Sequence, residues 1–159
     1  MVRRARAIVT TLGALVLALG MSGCGLQIPA DPDGTLERIT GDVLHAGASP
    51  SGDLVTVRGD EVTGPLADLV EGFAASRDAR VVWTVDSEED LVDDLANGDL
   101  DLAVGGMTDA SPWADRVSLT RGYPEIEGSE GASVVMLLPM GENGLQAALE
   151  TYLDEEVGG

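Results

Sequence analysis

Few side chains in this chain can do chemistry, and the absences narrow the choice. The 159 residues include no lysine, one histidine (His45) and one cysteine (Cys24). Schiff-base chemistry and a phosphate-loop lysine are excluded, and a histidine-rich metal centre cannot be assembled. Asp31-Pro32-Asp33-Gly34 opens like a calcium loop. Leu36 stands where loop position six requires glycine, so the segment reads as a turn. Asp99 and Asp101 flank Leu100 and read as polar positions at a strand end, not as metal ligands. No nucleophile–base pair has a recognisable spacing, so the chain reads as non-catalytic, with no metal or cofactor implied. What remains for recognition is hydroxyls, arginines and the scarce aromatics, of which Trp113 and Tyr123 are two of five.

Cys24 carries a chemistry of its own. Arg3, Arg4 and Arg6 precede an apolar run, Ala7 to Leu19, that is too short to span a bilayer, and mostly small residues lead on to Cys24. This is the layout of a signal peptide. Met21-Ser22-Gly23-Cys24 resembles the lipobox of bacterial lipoproteins, where the thiol is alkylated by a diacylglycerol before cleavage. Met21 departs from the branched aliphatic usual there. The alternative is simple secretion with a free thiol. The division that follows is a lipoprotein signal peptide over 1–23, a membrane tether over 24–41 and one α/β domain over 42–155. The expected location is the extracytoplasmic face of the cell membrane, held by lipid at Cys24. Two or more acyl chains, at about 0.8 kcal/mol per buried methylene, give lasting attachment.

All 28 acidic residues lie after Cys24, against six of the nine basic ones. Such a surface repels nucleic acid and anionic head groups and favours cationic ligands in a general way. A solvated acidic surface is the plainer reading.

The elements that must position these groups are legible from periodicity. Val43 to Ala48 reads as a first strand, and Leu54 to Arg58 as a short edge strand before a Gly59-Asp60 turn. Leu66, Leu69, Val70, Phe73 and Ala74 recur at helical spacing behind Pro65. Arg80 to Val85 is β-branched and aromatic, hence a strand. Ser87-Glu88-Glu89-Asp90 opens a helix that Gly98 stops. Leu100 to Val104 is a strand, Ser111 to Arg116 a short helix, Glu125 to Ala132 a polar loop, Ser133 to Leu138 a returning strand, and Leu145 to Leu153 a last helix. Alternating strands and helices imply an open, mostly parallel α/β sheet with helices on both faces. Ligands in such sheets bind beyond the C-terminal strand ends. That directs attention to Ser49–Leu54 after the first strand and to Gly105-Gly106-Met107-Thr108 after the third.

Val43 to Ser49, Leu66-Ala67-Asp68-Leu69-Val70, Leu91 to Asp101, Gly105-Gly106-Met107-Thr108 and Arg121-Gly122-Tyr123 together resemble the family 3 solute-binding proteins. These are extracytoplasmic, often lipid-anchored receptors of ABC importers for amino acids and similar polar solutes. The resemblance implies the fold of one lobe of a type II periplasmic binding protein. It also implies a small polar solute as ligand, with cationic ones favoured by the acidic surface, and an ABC permease or another envelope protein as partner. Family members have two lobes, and the chain leaves the first just after the position matched by Tyr123. Here a short acidic loop, Glu125 to Gly131, leads straight to the returning strand, as if the second lobe were missing. A lone lobe cannot close over its ligand, so less of the ligand is buried. The arginine that clamps an amino acid's carboxylate in the family falls on Trp113, with Arg116 one turn on. The ligand-binding candidates are Ser49, Met107, Thr108, Trp113, Arg116 and Tyr123. Against them stand structural roles: Thr108 as a turn residue, Trp113 as a plug at the sheet end, Tyr123 packed under the returning strand. The alternative function is a single-lobe module acting as an interaction or regulatory partner in the cell envelope.

Overall fold

The computed structural model describes residues 31–158, so the signal peptide and Cys24 lie outside the described residues. Residues Thr35–Ile39 form α1, and β1 spans Val43–Ala48. A hairpin of β2 (Thr56–Arg58) and β3 (Glu61–Thr63) precedes α2 (Pro65–Ser76), β4 (Arg80–Val85), α3 (Glu88–Asn97) and β5 (Leu102–Val104). Two short strands, β6 (Ser118–Leu119) and β7 (Leu137–Leu138), and the closing helix α4 (Asn143–Val157) complete the fold.

The α/β class is as the sequence implies, and the sheet is mixed. Its order is β4-β1-β5-β7-β6. β1 lies parallel to both β4 and β5, while β7 runs antiparallel to β5 and to β6. The registers Ala46↔Trp83 and Ala46↔Leu102 put Ala46 at the centre of the parallel half. Alternation then sorts side chains to two faces. Leu44, Ala46, Leu102, Val104 and Leu138 face a core closed by α1, α2 and α4, with Phe73, Leu145 and Leu149 fully buried in it. Ala103, Val135 and Leu137 face a smaller core closed by Leu91, Val92 and Leu95 of α3.

The helix ends follow their local chemistry. Pro65 opens α2, where its missing N–H costs nothing. The Ser87 hydroxyl accepts from the Asp90 amide at 3.2 Å and caps α3, and Gly98 ends that helix in the left-handed region at φ 80°. Among the described residues no helix is long and apolar enough to cross a membrane.

Four expectations need correction. First, the tether was expected to run to Gly41, but from Asp31 onward that stretch is part of the fold. Ile39 is fully buried in the larger core, and α1 packs on α4. Second, Leu54–Arg58 is not an edge of the main sheet. Leu54 and Val55 are buried, and β2 pairs only with β3 because Val62 beyond the Gly59-Asp60 turn also finds the core. Third, Ser111–Arg116 forms turns, not a helix, with the Trp113 carbonyl accepting from the amides of both Arg116 and Val117. Fourth, Ser133–Leu138 is a regular strand only at Leu137–Leu138, and upstream of that Val134 makes isolated bridges to Thr108 and Tyr123.

Candidate functional site

Four segments meet beyond the C-terminal ends of β1 and β5. The first is the turn after β1. The Ser49 amide donates to the Val104 carbonyl at 2.9 Å, which holds the two strand ends level. The chain then folds tightly, with the Ser51 carbonyl accepting from both Leu54 and Val55. The second is Gly105-Gly106. A Cβ on Gly105 would lie 2.9 Å from Met107 Sδ and 3.1 Å from Ser49 Cβ, and one on Gly106 would lie 2.6 Å from Ser51 Oγ. A side chain at either position would push Met107, Ser49 or Ser51 aside, because the two turns approach so closely. The third is the start of α3, where Glu88 Oε1 stands 4.0 Å from that same Gly106 position. The fourth is the loop 124–133. The sequence reads it as polar, yet it is tied down by the buried Ile126 and by the Ser129 hydroxyl donating to the Pro124 carbonyl at 2.7 Å. Gly128 of this loop approaches Asp53 in the first turn.

The six candidates divide. Ser49 and Thr108 are half-buried at the strand ends, where a solute could reach them. Met107 is buried in the smaller core and fills the space beneath Gly105. Trp113 is half-buried against that core, and its indole N–H is buried with no hydrogen-bond partner. Arg116 is exposed and pairs with Asp93 of α3. Tyr123 is buried in the larger core, with its hydroxyl 3.2 Å from Asp154 Oδ1 and 3.3 Å from the Glu150 carbonyl. Burial raises its phenol to about 12, against the opposing pull of Arg121. Tyr123 therefore fastens the return of the chain to α4 and does not face the strand ends. Arg121 completes that clasp by bonding Glu150 at 3.1 Å and Asp154 at 2.7 Å. Ser51, Gly106 and Glu88 are site residues that the candidate set missed. Only the Gly105-Gly106 pair announced the close approach.

A second polar cluster lies at the opposite end of the sheet. Asp101 is 3% exposed, pairs with Arg38 and accepts from the His45 amide at 2.9 Å. Asp101 thus stands at the strand end as read from the sequence, but buried and paired, and His45 offers its backbone while its side chain stays exposed. Nearby, the buried Glu142 accepts from the amides of Asp33 at 3.2 Å and Thr35 at 3.4 Å. Burial pushes the Glu142 carboxyl up, but hydrogen bonds from Asp31 and from these amides outweigh it and hold it below the usual range. Burial, with Glu142 beside it, raises Asp31. A cavity of about 550 Å³ opens here between Arg38, His45, Asp99 and Glu142.

The return of the chain decides the architecture. Tyr123 donates to the Val134 carbonyl at 2.8 Å, so only a ten-residue loop, 124–133, separates the two segments where a second lobe would enter. Comparison with known proteins points the same way. No protein-family model and no curated protein matches the chain. Among solved structures, the arginine-bound form of domain 1 from TmArgBP aligns with a TM-score of 0.62 at 18% identity, covering 71% of this chain and 92% of that one. The chain has the fold of one lobe of a periplasmic binding protein. A variant of the same domain aligns at a TM-score of 0.63, also at 18% identity, over 78% of this chain and 96% of its own. A mutant of ArgBP from T. maritima aligns at 0.50 and 18% identity, but over only 40% of its length and 56% of this chain. The lobe is thus matched almost end to end by an isolated domain.

Proposed function

We propose that this chain is a solute-binding protein whose single lobe offers the ends of β1 and β5 to a small polar or cationic solute. In this reading it is held by lipid at Cys24 on the extracytoplasmic face of the cell membrane, beside an ABC permease or another envelope protein. The observation that carries it is the near-complete match to a lone domain described as arginine-bound. The chemistry of the mouth supports a cation. Glu88 Oε1 and the Ser51 hydroxyl both come within 4.0 Å of the Cβ position at Gly106, and Arg116 is engaged by Asp93. A positively charged solute would gain from the acidic surface as well as from these groups. The role is binding, not catalysis.

The test is thermal shift of the full-length chain against arginine, lysine, putrescine, glutamate and glucose. Stabilisation is expected from the cations alone, and Glu88→Gln should weaken it by roughly tenfold in apparent affinity, the worth of one charge-assisted hydrogen bond. Absence of any shift at millimolar cation would sink the solute reading. Lipid attachment has its own test. A palmitate analogue should label the chain in a bacterial host, and Cys24→Ala should abolish the label.

One observation favours the second reading, a module that presents its strand ends to a protein. Ser49 and Thr108 stay only half-buried at the strand ends, while cavities of about 550 and 570 Å³ lie elsewhere, beside Arg38 and Asp101 and between α1 and α4. The mouth is open, and a partner that supplies a wall would complete it. Co-purification of an envelope protein, lost in Thr108→Arg, is the result expected in that case.

A further inference from the structure

The outer edge of the sheet is β4, six residues reading Arg80-Val-Val-Trp-Thr-Val85. The Arg80 amide bonds to Asp42 and the Asp86 amide to Ala48 of the β1 side. Because backbone groups alternate along a strand, the even positions serve β1, and Val81, Trp83 and Val85 direct their N–H and C=O groups outward. Edge strands are usually guarded by charges, proline or a bulge. Here nothing between Arg80 and Asp86 is charged, and Val82 and Val85 are 38% and 41% exposed. Charges of opposite sign mark the two ends of the edge. Arg77, Asp78 and Arg80 stand at its start, leaving that end with one net positive charge, and Asp86, Glu88 and Glu89 follow its end. Arg80 makes no ion pair among the described residues, although acids far outnumber bases.

We propose that β4 is a self-complementary interface through which two copies of this chain pair antiparallel, about a two-fold axis at Trp83. In that register Trp83 faces its own copy and Val81 faces Val85, which satisfies all the outward groups with about six backbone hydrogen bonds. Val82 then lies beside the partner copy's Thr84. Arg80 falls opposite Asp86, twice per dimer by symmetry. Shifting the axis to Val81 or Val85 leaves outward groups unpaired and loses that match. The complementarity singles out a second copy as occupant, since a strand basic at one end and acidic at the other fits its own antiparallel image. Pairing also covers the two exposed valines and continues the sheet across ten strands.

Sedimentation equilibrium on the purified full-length chain tests this. The wild type should be a dimer. Arg80→Glu sets like charges against each other at two places and should weaken association by roughly tenfold or more. The double variant R80E/D86R restores opposite charges and should recover the dimer. Arg58→Glu, on the exposed hairpin, makes the same change in net charge and should leave the dimer intact; circular dichroism checks that each variant is folded. A wild type that stays monomeric at all concentrations would overturn the proposal. So would equal loss in R80E and R58E, or a double variant that remains monomeric.

Discussion

At the scale of single residues, the carboxyl pair Asp31–Glu142 joins the start of the described chain to the start of α4. Asp31 Oδ2 accepts from the Leu36 amide at 3.1 Å, while Oδ1 is buried and, as a carboxylate oxygen, has no donor. A proton on Asp31 would let it donate to Glu142, which agrees with the raised Asp31 and lowered Glu142. The signs differ. A raised folded pKa makes the Asp31 contribution present in acid and lost as pH climbs through that raised value. A lowered one makes the Glu142 contribution present above its unfolded range and lost as pH falls through the lowered value. The pair is therefore strongest between the two. Asp31→Asn supplies a permanent donor, so it should match the wild type in that acidic window and exceed it above, by about 0.5–1.5 kcal/mol, the net worth of one hydrogen bond. Urea titrations of both proteins across pH measure the difference. A difference that does not change with pH would refute the shared proton. Neither this pair nor Asp101–Arg38 was legible in the sequence. Their partners lie 111 and 63 residues apart along the chain, and a carboxylate's burial depends on partners that no local pattern reveals.

At the scale of elements, boundaries governed by local chemistry were legible. Ser87, Gly98 and Pro65 each act through the nearest turn of helix, and each sits where the pattern placed it. Strand direction was not. A continuous apolar run such as Val134 to Leu138 reads alike whether its neighbour is parallel or antiparallel, so the mixed sheet emerged only with β7 in place. β3, with three residues, is too short to carry a period, and tertiary burial of Val62 fixes it. The junction between hairpin and α2 is the element most sensitive to change. Gly64 sits at φ 116°, and a Cβ there would lie 2.7 Å from the Leu54 carbonyl oxygen. Gly64→Ala should cost about 1–3 kcal/mol, from left-handed strain and from displacement of a rigid backbone atom. Gly52→Ala, at φ 47° with nothing within 4 Å of the added Cβ, carries only the milder strain of the left-handed helical region and should cost less. Equal losses in the two variants would remove the clash from the account.

At the scale of the whole molecule, the single-lobe plan was legible because it rests on order along the chain: strand end, glycine pair, aromatic, immediate return. What lines the mouth was not, since Ser51, Gly106 and Glu88 come from three separate segments that only the folded sheet brings together. Charge acts at this scale too. Six arginines face 28 acids after Cys24, and four ion-pair contacts, made by Arg38, Arg116 and Arg121, are found among the described residues. Arg116 and Arg121 are exposed, and exposed pairs are worth about 0–1 kcal/mol each, so they cannot offset the repulsion of the remaining carboxylates. Repulsion over tens of ångströms is what salt screens first, the Debye length falling from about 10 Å at 0.1 M to about 3 Å at 1 M. The melting temperature should accordingly rise by several degrees between roughly 0.05 and 1 M sodium chloride, while binding of a cationic solute weakens over the same range. The opposite signs distinguish a global field from local clasps. If ion pairs such as Arg121 with Glu150 and Asp154 governed stability, salt would lower the melting temperature, and a fall would show that the clasps outweigh the net charge.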